Sequence, residues 1–336
     1  MNKKTVLTGI TTTGIPHLGN YVGAIRPALS ESRNENVNAC YFLADLHALV
    51  KNRDPNLLRE STLAIAATWL AMGLDPDKSM FYRQSDIPDI PALSWMLSSV
   101  TSKGLMNRSH AYKAFVQENK INHSRDPDKG VTMALFTYPI LMAADILIFN
   151  AHQVPVGKDQ IQHVEMARDI AQRFNHLYGE TFVIPEAVFD NKTAVLTGLD
   201  GRKMSKTYNN SIPLFVDSDK LRKLIMKIKT NSLQPGQPKD PNESVIFEIF
   251  QAFSSPEEAT NFKEKLLEGL GWGDAKQILF EYLDFYLEKP RQEYNRLIMD
   301  SAYIESILKQ GALKAQNKSS EMMIKVRKAI GLQAIE

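Results

Sequence analysis

The sequence predicts a parallel α/β domain followed by a smaller all-helical domain, and three observations carry that expectation. The chain has 336 residues, and at roughly 150 residues per domain two are expected. Strand-like segments, Gly-rich turns and helical segments alternate through the first two-thirds, the signature of βαβ units. Beyond about residue 213 the apolar spacing becomes helical throughout. The division is therefore expected at 1–212 and 213–336.

The elements follow in order. Residues 5–9 form a short strand, and a Gly/Thr/Pro-rich turn leads into a helix from about Gly19. Residues 39–44 are an apolar run of strand length. Residues 55–72 show helical spacing through Leu58, Leu63, Ile65, Ala66, Trp69 and Leu70. Residues 80–83 are strand-like and 88–100 helical. The pattern then breaks over 107–131, where 117–130 is polar and aperiodic; about 113–131 is read as a mobile insertion. The most apolar run, 138–149, is shorter than the roughly 20 residues of a membrane-spanning helix and holds Asp145, with Pro139 expected in a first helical turn. A β-branched segment at 154–156 precedes a helix over 158–174. Leu221, Leu224, Ile225 and Ile228 make one helix face, and 319–330 is a helix closed by Gly331.

Composition excludes several classes. With 43% hydrophobic and 23% charged residues, the chain is neither disordered nor of low complexity. Forty Lys+Arg against 38 Asp+Glu leave a net charge of +2, so any nucleic-acid site must come from local patches. Cys40 is the one cysteine, which allows neither an internal disulfide nor a cysteine-rich zinc site and fits a reducing compartment. No apolar stretch of signal-peptide length follows Met1, so a soluble, cytoplasmic protein without a membrane partner is expected.

Five segments could carry chemistry. Gly14-Ile15-Pro16-His17-Leu18-Gly19-Asn20 follows the first strand and opens a helix, where free N–H groups lie at the carboxyl end of a parallel sheet. His17 and Asn20 share a face of the first turn, and both can donate to a triphosphate. The segment matches neither G-x-x-x-x-G-K-[ST] nor G-x-G-x-x-G, and an ordinary Gly/Pro turn is an equal alternative. Gly198 to Thr207 combines two early glycines with Lys203 and Lys206, able to wrap a polyphosphate or simply to be a solvated basic loop. Tyr138, Met142 and Asp145 fall at i, i+4, i+7 on one helical stripe. Such an aromatic and apolar stripe with one carboxylate suits a large flat ligand with one N–H donor, or else a helix whose Asp pairs internally. Gly157-Lys158-Asp159-Gln160 stands at a strand end and can read a ribose or an amino group, or cap a helix through Asp159. Lys220, Arg222, Lys223, Lys227 and Lys229 lie off the Leu/Ile face, a candidate footprint for phosphate backbone or a solvated face.

Taken together, these motifs resemble a known family. His17-Leu18-Gly19-Asn20 and Lys203-Met204-Ser205-Lys206-Thr207 are similar to the HIGH and KMSKS signatures of class I aminoacyl-tRNA synthetases. Tyr138 to Asp145 and Gly157 to Gln160 narrow the resemblance to the bacterial tryptophanyl-tRNA synthetases, over essentially the whole chain. The resemblance implies a Rossmann-like catalytic domain, a helical tRNA- and anticodon-binding domain and a homodimer. It implies a tryptophan–tRNA ligase that forms tryptophanyl-adenylate and pyrophosphate from L-tryptophan and ATP, with Mg2+ held mainly by the ATP phosphates. Tryptophan then passes to its tRNA. By position, His17, Asn20, Lys203 and Lys206 would be catalytic. Thr11, Thr12, Thr13, Gly19 and Asn20 would line the ATP side, with Gly157, Lys158, Asp159 and Val195 on the nucleotide. Lys203, Met204, Ser205, Lys206 and Thr207 would close on the phosphates. Asp145 would take the indole N–H, and Tyr138 and Gln160 the amino group. Leu7, Gly9, His47, Met142, Val154 and Val156 would shape the pocket. No metal-ligating residue is implied. Three features depart from the pattern: Thr11-Thr12 stands where many members carry Gln-Pro, Asn20 replaces the last His of HIGH, and Thr207 replaces the last Ser of KMSKS.

The residues alone fit this chemistry. Adenylation is attack by a carboxylate oxygen on the α-phosphorus of ATP. That nucleophile is already ionised, so alignment and charge stabilisation suffice without a strong general base. A small-molecule adenylyltransferase would share the His17 motif but need no aromatic pocket or helical domain. A tyrosine-specific synthetase would differ at the Tyr138–Asp145 stripe. A non-catalytic tRNA-binding relative would not need intact His17, Asn20, Lys203 and Lys206.

Overall fold

The computed structural model describes residues 3–123, 125–189 and 195–333. Five parallel strands form one sheet in the order β3-β2-β1-β4-β5: β1 (Lys4–Thr11), β2 (Val37–Ala44), β3 (Met80–Arg83), β4 (Gln153–Pro155) and β5 (Glu186–Val188). Leu7 faces Cys40 and Gly9 faces Phe42 in the β1–β2 register, and Val6 faces Gln153 across β1–β4. Parallel order requires helical crossovers, which cover both faces of the sheet. The chain direction of strand filling reverses between β1 and β4, the crevice where open α/β sheets bind ligands.

Side chains alternate across β1 and β2 and feed two cores. Leu7, Phe42, Tyr82 and Val154 pack under one face with helices Met133–Leu147 and Ile161–Tyr178. Tyr41, Leu43 and Phe81 pack on the other face with Leu18, Met204 and the helical segments beyond residue 213. Those segments include Ser218–Met226, Val245–Phe253, Pro256–Leu267 and the long Trp272–Met299, joined through Leu221, Ile225, Phe250, Phe262 and Leu279.

Four sequence expectations change. Helix Met133–Leu147 begins earlier than the apolar run, capped by the Thr132 side chain, so Pro139 lies inside it rather than in its first turn. Within the stretch read as aperiodic, His110–Ile121 is a helix with no fully buried residue; Tyr112, Phe115 and Val116 form a short half-buried stripe, with the Tyr112 ring 5.0 Å from that of Phe136. β5 is a short strand that sequence reading left unassigned. The last helix runs Ser301–Ala329, much longer than 319–330, and Gly331 follows it at φ 78.

That last helix returns to the sheet. A Cβ on Gly311 would stand 1.7 Å from the Phe81 carbonyl oxygen, so only glycine lets the helix lie backbone-to-backbone on β3. Arg83 grips Glu305 through two bonds of 2.9 and 2.8 Å, and Gln316 and Ser319 reach Asp86 and Asp89. The exposed edge of β3 is thereby covered.

Candidate functional site

Two turns meet at the carboxyl end of β1. After Thr11 the chain passes Gly14 at φ 85, a left-handed conformation that favours glycine, and Ser61 accepts the Gly14 N–H at 2.7 Å. His17 then caps the short helix Leu18–Asn20. Its Nδ1 accepts the Asn20 N–H at 3.2 Å, while Asn20 Oδ1 accepts the His17 N–H at 3.1 Å. The reciprocal pair settles which atoms are left for a ligand. With Nδ1 accepting, a neutral His17 carries its proton on Nε2, and Asn20 keeps its Nδ2 donors. Burial first, and the charge of Lys206 second, lower the His17 pKa to about 4, so the imidazole is neutral at physiological pH. A single turn of π-helix, Tyr21–Ile25, follows.

The loop of Lys203 to Thr207 is stitched to this turn. Leu18 N–H donates to the Ile212 carbonyl and Leu214 N–H to the Pro16 carbonyl, each at 2.9 Å. Asn210 holds the loop from inside: it accepts the Ser205 N–H at 2.8 Å and donates to Asp200 at 2.6 Å and to the Lys203 carbonyl at 3.2 Å. Lys206 Nζ donates to the Thr13 carbonyl at 2.7 Å, and partial burial there draws its pKa down to about 8. Met204 is buried against Gly19, whereas Lys203 and Thr207 are exposed and Ser205 half-buried. Thr11 and Thr13 are exposed, but Thr12 is wholly buried and its hydroxyl has no partner among the described residues. Gly157 and Lys158 stand exposed beyond β4, Gln160 is exposed on the same 3-10 turn, and Val195 is exposed. The Asp159 side chain lies outside the described residues.

On the opposite sheet face a second constellation forms. Asp145 is wholly buried, and its partners are His47 Nε2 at 2.9 Å and Gln84 Nε2 at 2.8 Å to each oxygen. Burial raises its pKa, and the bonds from His47 and Gln84 counter that rise. The internal partner left open by the sequence is thus a histidine and an amide, not an arginine. Tyr138 is hydrogen-bonded to His163 and meets the His47 ring edge-on, with centroids 6.3 Å apart. Leu7 and Val154 are buried in this core, with Met142 and Val156 half-buried against it. The Phe42 ring occupies the space a side chain at Gly9 would need, 2.4 Å from an ideal Cβ.

The structure thus brings Asp145, Tyr138, His47, Leu7, Gly9, Met142, Val154 and Val156 to one face. It gathers His17, Gly19, Asn20, Met204 and Lys206 at the other. Gln84, Asn210, Ser61 and His163 were missed. Gln84 had a signal, since it directly follows the strand at 80–83, and strand carboxyl ends are where such sheets place functional groups. Asn210 had none, because its role depends on a loop folding around it. Among the described residues no group of three or more His, Cys, Asp or Glu could hold a metal ion. No helix among them is long and apolar enough to cross a membrane.

Comparison with known proteins gives concordant results. The family model for tRNA synthetases class I (W and Y) matches residues 1–287. A tryptophan–tRNA ligase of Neisseria meningitidis is 55% identical over 336 residues, covering 100% of both chains. A tryptophan–tRNA ligase of Pseudomonas putida is 57% identical over 332 residues, covering 98% of this chain and 74% of its own length. The crystal structure of tryptophanyl-tRNA synthetase from Campylobacter jejuni complexed with ADP and tryptophan superposes with a TM-score of 0.88. It shares 39% identity, covering 98% of this chain and 100% of that one.

Proposed function

The chain belongs to the class I tRNA synthetases for tryptophan and tyrosine, and within them to the bacterial tryptophan–tRNA ligases; from that membership we propose how its residues divide the work. The enzyme activates L-tryptophan with ATP and transfers it to tRNA. The proposal assigns amino-acid selection to the Asp145 face and polyphosphate handling to the His17–Lys206 face.

On the selection face, Asp145 accepts the indole N–H, Tyr138 and Gln160 hold the amino group, and Leu7, Gly9, His47, Met142, Val154 and Val156 enclose the ring. On the ATP face, Thr11, Thr12, Thr13, Gly19, Asn20, Gly157, Lys158, Asp159 and Val195 receive the nucleotide. Thr12 is wholly buried, so its share is to support the turn between the exposed Thr11 and Thr13 from beneath. His17 Nε2 and Asn20 Nδ2 supply neutral donors, and Lys203 and Lys206 follow the charge that develops on the leaving pyrophosphate. The tryptophan carboxylate attacks the α-phosphorus, and the α–β bridging oxygen leaves with pyrophosphate. No residue must take a proton, so positioning and charge stabilisation carry the step. Mg2+ bound with ATP would neutralise part of the phosphate charge beside Lys203 and Lys206.

The single observation that supports this division is the sorting of the two constellations at neighbouring strand ends: His17 follows β1 beside Leu18 and Met204 of one core, whereas His47 and Gln84 follow β2 and β3 and meet Asp145 beside the other core. The chain is further proposed to work in the cytoplasm as a homodimer, with residues 1–212 catalytic and 213–336 binding tRNA. Trp95, 81% exposed on helix Asp89–Ser98, offers apolar surface for a second copy. Light scattering on the purified protein measures the mass directly; a monomer at micromolar concentration rejects the dimer. ATP–pyrophosphate exchange with each of the twenty amino acids tests the site. Exchange is expected with tryptophan alone, and exchange favouring tyrosine would overturn the assignment of Asp145.

A further inference from the structure

Gln84 is wholly buried against Asp145 and makes three hydrogen bonds that need a donor and an acceptor on one side chain. Its Nε2 donates to both Asp145 oxygens at 2.8 Å, and its Oε1 accepts the His47 backbone N–H at 3.3 Å. A carboxylate only accepts and a backbone N–H only donates, so the amide has one possible orientation. The same side chain therefore fixes the carboxylate and the residue whose imidazole Nε2 also bonds it, at 2.9 Å.

An ionised carboxylate has about two acceptor sites per oxygen. Oδ2 receives both His47 and Gln84, whereas Oδ1 receives Gln84 alone. Oδ1 keeps one site for an arriving donor. We propose that Gln84 is a positioning residue for amino-acid selection: it holds Asp145 as an acceptor whose open Oδ1 site meets the indole N–H of tryptophan. The inference rests on the assignment of Asp145 as the indole partner.

The surroundings make such a device necessary. Burial disfavours the charged form of Asp145, and the nearby charge of Asp45 adds to that effect. The titratable groups facing the carboxylate are His47 and Asp45 from the helix after β2, and Tyr82 from β3. Without the amide, one oxygen loses its only protein donor and the group moves toward its neutral form, whose O–H competes with the indole for the remaining acceptor sites.

The test uses the full-length enzyme and two amino acids: tryptophan, and its analogue with sulfur in place of the indole N–H. Their kcat/KM ratio in ATP–pyrophosphate exchange, measured from pH 6 to 9, cancels ionisations on the ATP side. Gln84→Leu is expected to cut the ratio roughly 10–10²-fold while leaving the KM for ATP in place. Gln84→Glu carries a diagnostic pH dependence. When protonated, the introduced carboxyl matches the amide: its C=O accepts from His47 and its O–H donates to Asp145. The ratio should be near wild type at low pH and fall as the pair loses its shared proton. A merely structural Gln84 predicts lower thermal stability in both variants, with an unchanged, pH-independent ratio; that result overturns the proposal. Should Gln84→Leu fail to fold, the pH profile of Gln84→Glu decides alone. Asp145→Ala separates the two layers. If it retains the wild-type ratio, the indole assignment itself falls. If it collapses the ratio while both Gln84 variants retain theirs, only the role of Gln84 is refuted.

Discussion

Asp145 and Gln84 are wholly buried and joined to each other, each polar atom holding a partner before any ligand arrives and Asp145 Oδ1 keeping one acceptor site. Across the sheet, Lys203, Thr207 and Lys158 stand in solvent, and Lys206 rests its ammonium on the backbone oxygen of Thr13. The contrast follows from what each half must do. Selecting one N–H among similar aromatic rings requires an acceptor that is dry, fixed and costly to leave unpaired. Spreading the charge of a leaving pyrophosphate requires cations that can follow it as the bond breaks. A buried half and an exposed-loop half are therefore expected to fail differently when mutated.

The largest effect should come from the buried half. Asp145→Ala removes the buried carboxylate that accepts from His47 and Gln84 and should cost roughly 10²–10⁴-fold in kcat/KM for tryptophan. It should also narrow the gap between tryptophan and phenylalanine, because phenylalanine no longer leaves a buried acceptor unpaired. Steady-state exchange kinetics for both amino acids measure this. A variant that discriminates as well as the wild type would reduce Asp145 to a packing residue.

Next comes the loop. Lys206→Ala should slow tryptophan activation by roughly 10²–10³-fold, the scale of one lost charge-stabilising donor. Tryptophan affinity, set across the sheet, should hardly move. Pre-steady-state adenylate formation and equilibrium tryptophan binding separate the two. Loss of tryptophan binding with an intact activation rate would erase the contrast between the halves.

A smaller effect lies in pH. Lys206 has a pKa lowered to about 8 in the free protein. It therefore loses its charge as pH rises through 8, whereas a bound polyphosphate favours the charged form. ATP binding should take up protons near pH 9 and almost none at pH 6.5, with KM for ATP rising above pH 8. His17, lowered to about 4, stays neutral over that range and contributes nothing. Calorimetry in buffers of different ionisation enthalpy reads the proton count, and Lys206→Ala should abolish the uptake. Unchanged uptake in the variant would assign the proton to another group.

The two halves also differed in how legible they were. β1, β2 and β3 were visible as strand-length segments, whereas His17, Asn20, Lys203 and Lys206 read equally as an ordinary turn and a solvated basic loop until the resemblance joined them. Asp145 was visible as a lone carboxylate in an apolar run, but its partners were not, because His47 and Gln84 lie 98 and 61 residues away. The helix His110–Ile121 escaped because its apolar stripe, Tyr112, Phe115 and Val116, is short and runs out into the polar residues 117–120. The start of helix Ser301–Ala329 went unassigned although Ile304, Ile307 and Leu308 fall at helical spacing there, because the buried stripe then passes to Gly311, Ala312 and Ala315, small residues that interrupt the apolar pattern before 319. What long-range contact alone determines, local pattern does not reveal.

The smallest effect concerns a surface outside both halves. Lys220, Arg222, Lys223, Lys227 and Lys229 are exposed along and just beyond helix Ser218–Met226, while Leu221 and Ile225 anchor it to the core. Aspartates enter only at its first turn, where Asp217 caps the helix and Asp219 suits the positive end of its dipole. A solvated face would tolerate charge reversal, whereas a face that neutralises tRNA phosphates releases counterions on binding. Reversing Lys223 and Lys227 to Glu should weaken tRNA binding at low salt. It should also flatten the log–log salt dependence by about one unit per lost phosphate contact. Tryptophan-dependent ATP–pyrophosphate exchange without tRNA should stay at the wild-type rate, because neither lysine touches the two turns at β1. Titrations of tRNA from 50 to 200 mM salt, at roughly the span over which such slopes are resolved, provide the measurement. An unchanged slope would make this face a solvated one and leave tRNA recognition to other surfaces of the helical segments.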